Sequence, residues 1–522
     1  MSLRRKTRLL LATAATLGIV GNVAAESVLR HVPAADVRIL DPVANAAVNT
    51  MQYAYMVYDQ LFAFDADSHA QPQMVGRFSV SSDLRSYEFT LRTGLRFHDG
   101  APVRSADAIA SIKRWAQVDA TGIRMTQLGM ELAAIDDRSF KLTLRESWSQ
   151  VIDSMAKPGG ALFVMRESDA QRPATDPVIE TTGSGPFRFV RSAWVPGSKL
   201  VFEKNPDYVP RTEPATDYAG GKVVKVDRVE WVVIPDPFTA VSALANGEVD
   251  SVQAFPVDLV GRLAQNAGVT VAINKGSFQA QMRPNHLHPP FNHPKAREAL
   301  LYMVNQEDYM QATVGNRDYW RTCFAWLVCG GPNASEAGTE LYRKPDRAKA
   351  RALLKESGYN GEKIVLMRPT GVPMIPDLTE VAIQDLKDIG LNLDVQTMEW
   401  SVLLPRRYKM NAPDDGGWNL YITFSPSLDL TNPIANYVLQ APCAKTGWPG
   451  WACSPELEKA RDQWDRESDP VKRQAIAEQI QREAVKLVPI VLLGQFFRPY
   501  AYRASLKGFL PTSIPVMWSV EK

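Results

Sequence analysis

IVLMRPTGVPMIPDLTEVAIQDLKDIGLNLDVQTMEW, residues 364–400, carries the pattern that decides the fold. Ile364–Leu366 is a short apolar run of strand type, and Leu378–Ile389 repeats its apolar residues at helical spacing until Gly390 stops it. Leu391–Thr397 reads as a second strand and runs directly into Trp400. Strand, helix and strand joined by short turns make the parallel crossover unit, so the fold class is α/β. The surroundings agree. A capped helix over Asp346–Tyr359 precedes the unit, and helices over Ser454–Arg466 and Asp469–Leu487 follow it, each with a polar cap and an early proline.

Downstream lies WSVLLPRRYKMNAPDDGGWNLYITFSPSLDLTNP, residues 400–433. Leu420, Ile422 and Phe424 alternate as a strand, and between Trp418 and Pro433 the only charge is Asp429. An aspartate and an arginine (Arg407, with Arg406 adjacent) offered from separate segments suit a ligand with an ammonium at one end and an anion at the other. A solvated loop acid is the plainer reading of Asp429 on composition alone.

At the other end, Arg4, Arg5, Lys6 and Arg8 precede a weakly apolar run over Leu9–Val23, and Val23-Ala24-Ala25 fits small-residue cleavage. Residues 1–25 therefore read as an export signal, by the general route, although Arg4-Arg5 leaves the twin-arginine route open. No cysteine follows the cleavage site to carry a lipid anchor, so the expected location is a periplasm. The 59 basic and 57 acidic residues give +2, and removing the signal leaves 55 against 57. The slight basic excess thus belongs to the signal and argues for no nucleic-acid partner. The remaining length exceeds one core, so two or three domains are expected.

The cysteines form two local pairs, Cys323/Cys329 and Cys443/Cys453, which in an exported chain read as structural disulfides. Their spacing is wider than that of a structural zinc site. His286, His288 and His293 cluster, but the prolines around them force irregular backbone and no carboxylate or cysteine adjoins, so no metal and no cofactor is expected. The chain lacks H-E-x-x-H, a nucleophile elbow, CxxC and a phosphate loop. His98-Asp99-Gly100 before Ala101-Pro102 reads as turn chemistry rather than a catalytic pair. An enzyme is the rejected rival.

Tyr87, Phe89 and Leu91 alternate as a strand, a helix capped by Ser105 follows, and Tyr55, Tyr58 and Phe62 lie at helical spacing as core residues. The phrase SDLRSYEFTLRTGLRFHDGAPVRSADAIASIKR, residues 82–114, is similar nearly position for position to a segment of the extracellular solute-binding proteins of family 5. These are the periplasmic dipeptide- and oligopeptide-binding components of bacterial importers. Leu40-Asp41-Pro42, the GSGPFRFV run at 183–190, Trp194 with Gly197, Asn205-Pro206-Asp207-Tyr208 and Asn246-Gly247-Glu248-Val249-Asp250 resemble the same family.

The resemblance implies two hinged α/β lobes with an extra α/β subdomain on the first, closing on a ligand. The boundaries it suggests are 26–65, 183–272 and 488–522 for the first lobe, 66–182 for the subdomain and 273–487 for the second lobe. In the family an aspartate four residues before a proline holds the peptide amino group, and Asp429 stands four before Pro433. An arginine seven after a pocket-lining tryptophan matches Arg407 and Trp400; Arg406 takes that role if the register slips by one. The implied partners are a peptide or peptide-like ligand and an inner-membrane permease with separate ATPase subunits, the chain itself acting as a monomer. An opine-like conjugate, a sugar, chelated nickel or a sensing role on the same scaffold are the alternatives.

Overall fold

The computed structural model describes residues 26–522 except 46, 180, 181, 445 and 446. The export signal lies outside the described residues. Three apolar cores organise the rest. One gathers Leu29, Tyr53, Phe187, Trp231 and Trp518; a second gathers Met282, Leu300, Leu366, Leu378, Ile422 and Phe496; a third, made of residues 61–164, gathers Phe62, Phe89, Trp115 and Trp148. The first two are the lobes, and the third is the extra subdomain, built on its own four-stranded antiparallel sheet.

A single sheet threads both lobes. Its strands run in the order Phe187–Phe189, Lys199–Lys204, Arg228–Val232, Val28–Val32, Ser251–Val252, Val491–Arg503, Val269–Pro284, Leu420–Pro426, Lys363–Thr370, Asn392–Glu399. The join is the long antiparallel pair Val269–Pro284 and Val491–Arg503, whose register slips between Ile273 and Ser277. The expected crossover is present, with Lys363–Thr370 parallel to Asn392–Glu399 and the helix Ile375–Asp388 between them.

Two local readings need correction. Phe62 belongs to the strand Phe62–Phe64, because the helix Val48–Val57 ends before it. Ser105 is the first helical residue rather than the cap; its hydroxyl donates to the Asp136 carbonyl, and Asp107 takes up the Arg104 amide instead. A helix over Trp400–Arg406 follows the second crossover strand at once, which the alternating pattern before it did not announce. The strand Leu420–Pro426 is buried on both faces over Leu420–Thr423, as befits an interior strand.

Several motif residues turn out to be internal ties. Asp41 takes a two-pronged ion pair from Arg114, at 2.6 and 3.0 Å, with both side chains fully buried, and it also accepts the Val43 and Val178 amides. This joins the first lobe to the subdomain helix Ser105–Trp115. Asp59 is held by Lys222 at 2.7 Å and by the Tyr208 hydroxyl at 2.8 Å. At the expected turn, Gly100 has φ +89°, a conformation that favours glycine, while Asp99 accepts the Ala101 amide and pairs with Arg166.

Candidate ligand-binding site

The interior strand Leu420–Pro426 ends in a tight turn, Ser427–Asp429, at the edge of the second lobe. Neighbours other than Asp429 fix that turn. Ser277 Oγ donates to Ser427 Oγ at 2.7 Å, and Asn436 Nδ2 donates to the Leu430 carbonyl at 2.9 Å. Arg461 closes the next bend by donating to the Pro433 and Ile434 carbonyls at 2.9 and 3.1 Å. The Asp429 carboxylate takes part in none of these bonds, and among the described residues nothing donates to it.

The facing wall comes from the subdomain, through the loop Lys157-Pro158-Gly159-Gly160. Lys157 Nζ is clamped by Asp119 at 2.6 Å and by the Gly159 carbonyl at 2.6 Å, while Trp115 Nε1 donates to the Gly160 carbonyl at 2.8 Å. A Cβ built on Gly159 would stand 3.5 Å from Asp429 Oδ1 and 3.5 Å from Leu428 Cβ, so the bare glycine leaves space beside the carboxylate. Burial pushes the Asp429 carboxyl up to about 6, with Lys157 across the gap pulling the other way.

Arg407 follows the helix Trp400–Arg406 and spreads its guanidinium over Trp448, 4.8 Å from the ring centroid, and over Tyr408 at 5.2 Å. Its Nε is buried without a hydrogen-bond partner. Trp448 packs on Tyr437 with centroids 4.3 Å apart, and the Tyr437 hydroxyl bonds Ser425 Oγ at 2.5 Å. Tyr437 lies within electrostatic reach of both charges. Burial raises its pKa most, the Asp429 charge raises it further, and Arg407 opposes both. Arg407, Trp448 and Tyr437 thus stack as one group, within electrostatic reach of Asp429.

The other two candidates lie differently. Arg406 donates to the Gly416 and Gly417 carbonyls, at 3.3 and 2.8 Å, and so closes the turn after its helix. Trp400, half buried, packs beside the small apolar cluster of Val365, Leu403, Trp418 and Tyr421. His286 and His288 turn to separate backbone carbonyls, of Val488 and Met410. Both cysteine pairs are bonded, Cys323 to Cys329 and Cys443 to Cys453.

Sequence reasoning passed over Tyr437, Trp448, Lys157 and Gly159. The P-G and G-G dipeptides at 158–160 mark a turn, but nothing local marks a turn that meets a residue some 270 positions on. For Trp448 the available signal was its place inside the loop stapled by Cys443–Cys453; Tyr437, before the loop, had none.

The candidate residues thus comprise a carboxylate that accepts no hydrogen bond among the described residues, a guanidinium stacked on Trp448, and the Trp448–Tyr437 aromatic pair. The family model of the bacterial extracellular solute-binding proteins, family 5 (middle region), matches residues 69–446. A probable peptide ABC transporter periplasmic-binding protein of Sinorhizobium fredii is 37% identical over 488 residues, covering 93% of this chain and 91% of that protein. Among solved structures, a dipeptide-binding protein from Pseudoalteromonas in complex with Met-Leu superposes with a TM-score of 0.77 at 18% identity, covering 95% of this chain and 100% of the other. A binding protein from A. tumefaciens R10 in complex with agropinic acid superposes with a TM-score of 0.75 at 22% identity, covering 95% and 98%. These two share the two-lobed fold. By the extent of the family match and of its 37% identical relative, the chain belongs to the bacterial extracellular solute-binding proteins of family 5.

Proposed function

We propose that the protein captures a peptide or peptide-like small molecule between its lobes and delivers it to an inner-membrane ABC permease whose ATPase is a separate chain. It acts by binding rather than catalysis, as a monomer in the periplasm, after loss of residues 1–25. No described helix is long and apolar enough to cross a membrane. The name of the Sinorhizobium relative supports peptide as the ligand class.

One observation carries the reading. Asp429 is a carboxylate that the fold leaves uncommitted, facing a glycine on the opposite wall. An ammonium trapped there loses its water and regains a charged partner. Arg407 is the weaker anchor, for a carboxylate at the far end of the ligand.

Titration calorimetry with Ala-Ala and N-acetyl-Ala-Ala tests the amine. Losing one partner of a buried charge pair costs roughly 2–5 kcal/mol, so acetylation, or Asp429→Ala, weakens binding about thirty-fold or more. Asp429→Asn weakens the free amine and leaves the acetylated form unaffected. Equal binding of both peptides by the parent rejects the amine site.

A further inference from the structure

Four arginines are buried among the described residues: Arg114, Arg283, Arg297 and Arg461. In all but Arg297, every guanidinium nitrogen donates a hydrogen bond. Arg114 reaches Asp41 and backbone carbonyls, Arg461 reaches Glu458 and carbonyls, and Arg283 reaches carbonyls alone. Arg297 Nε donates to the Leu487 carbonyl at 2.9 Å and Nη1 to the Phe291 and Asn292 carbonyls at 2.8 and 3.2 Å, while Nη2 has no partner among the described residues. No described carboxylate pairs with this guanidinium, and burial alone lowers its pKa, to about 10.

The unused nitrogen has a cavity beside it. Arg297 lines a space of about 220 Å³ on the second lobe, together with His286, Asn292, Ala444, Trp451 and the Cys443–Cys453 bridge, and no described acidic residue lines it. Nη2 is not among the polar atoms sealed in the interior, so this space is its outlet. His286 adds an acceptor. Burial first, then the charges of Arg297 and Arg283, hold its pKa well below the ordinary value, so the ring is neutral. Its Nε2 lies 3.3 Å from the Val488 carbonyl and carries the hydrogen for that contact, which leaves Nδ1 as an acceptor. A buried guanidinium with one free edge, an exposed carboxamide and an imidazole lone pair around one cavity suit a ligand that is anionic and also carries a hydroxyl.

We propose that this cavity is a second binding site, for inorganic phosphate in a form that keeps a hydroxyl. Arg297 Nη2 and the Asn292 carboxamide donate to its charged oxygens, and its hydroxyl donates to His286 Nδ1. The ion supplies the counter-charge that the fold withholds from Arg297. Sulfate has the same tetrahedral shape but no hydrogen to donate near neutral pH, so an oxygen is turned against the Nδ1 lone pair. Sites built for a hydrogen bond reject an analogue that cannot make it, because their own polar atom is left unpaired. The cavity shares no lining residue with the Asp429 site, and its test involves no peptide.

Calorimetry on the whole chain near neutral pH, with sodium phosphate and sodium sulfate as titrants in chloride buffer, compares the parent with Ala444→Glu and Ala444→Gln. Ala444 is exposed at the rim, so both variants keep the fold and differ in charge rather than bulk. The parent is expected to bind phosphate at least about ten-fold more tightly than sulfate. Ala444→Glu should weaken phosphate about ten-fold or more by like-charge repulsion, and Ala444→Gln should stay within about two-fold of the parent. Arg297→Met should lose phosphate binding; if it fails to fold, the two Ala444 variants decide. A parent that takes up no phosphate at millimolar concentration, or binds sulfate as tightly, overturns the site. Parent-like affinity in Ala444→Glu, or an equal loss in Ala444→Gln, overturns its placement beside Arg297. Methyl phosphate separates the free ion from an ester, since an ester with a second pKa of about 6 has mostly lost its hydroxyl near neutral pH. It should bind more weakly than inorganic phosphate, and tighter binding overturns the assignment to the free ion.

Discussion

Asp429 sits in surroundings that favour its protonated form. Its carboxyl is raised to about 6 in the folded chain, by burial before all else, against an ordinary value of 3.8. A raised acid binds its proton more tightly folded than unfolded, so the stability linked to it is full below pH 3.8 and is lost as pH rises through 6. On the proposed amine site, ligand binding has the opposite dependence, because an ammonium would pair with the ionised form. On lowering pH from 7 to 5, the unliganded parent should melt higher by an increment that Asp429→Asn lacks, while affinity for Ala-Ala falls in the parent. A pH-independent affinity over that range rejects the carboxylate's role. Asp429 was legible in the sequence because it is a lone charge in a neutral stretch at a telling distance from Pro433. Tyr437, which stacks on Trp448 beneath Arg407, was not, since an aromatic in a loop is as consistent with core as with a cleft. Buried Asp41 is the structural counterpart. Asp41→Ala strands Arg114 without its carboxylate, and should cost about 3–5 kcal/mol in a denaturant titration.

Among the elements, the helix Pro455–Arg466 does two jobs on neighbouring faces. Arg461 holds the bend just beyond Asp429. One turn on, Asp465 accepts from Trp148 Nε1 at 2.6 Å and pairs with Arg124 at 2.6 Å, both from the subdomain, with Trp148 and Asp465 almost fully buried. The bend beyond Asp429 and a clasp between the second lobe and the subdomain thus share one helix. Trp148→Phe keeps the ring and removes the donor; hydrogen bonds to charged groups contribute roughly 1.5–3 kcal/mol, so Ala-Ala affinity should drop about ten-fold without any lost ligand contact. Unchanged affinity would show the clasp to be indifferent to closure. The helix, its cap at Ser454 and its early proline were readable from local pattern, as were the crossover unit and both cysteine pairs. The clasp was not, because residues 124 and 148 come near 465 only through tertiary folding. For the disulfides, peptide mapping of protein from the periplasm should recover Cys323–Cys329 and Cys443–Cys453. Their short loops contribute roughly 2–3 kcal/mol each in the chain-entropy account, so reduction should lower the melting temperature.

For the whole molecule, closure is the functional coordinate. In this structure the subdomain meets the second lobe at Gly159 and at Trp148. Solution scattering should show the radius of gyration shrinking when Ala-Ala saturates the protein, and an unchanged radius counts against hinge motion. The long phrase at 82–114 made the fold legible at this scale, but the continuity of the sheet did not show, because register between strands two hundred residues apart leaves no local trace. That continuity has a temporal side. The short strand Ser251–Val252 pairs with Ala501 and Tyr502, the first core is completed by Leu506, Trp518 and Val520, and Lys522 donates to the Val28 carbonyl and to Asp250. The last thirty residues are thus the keystone of the lobe that the first thirty described residues begin. The first lobe is therefore complete only when segments from both ends of the described residues have come together.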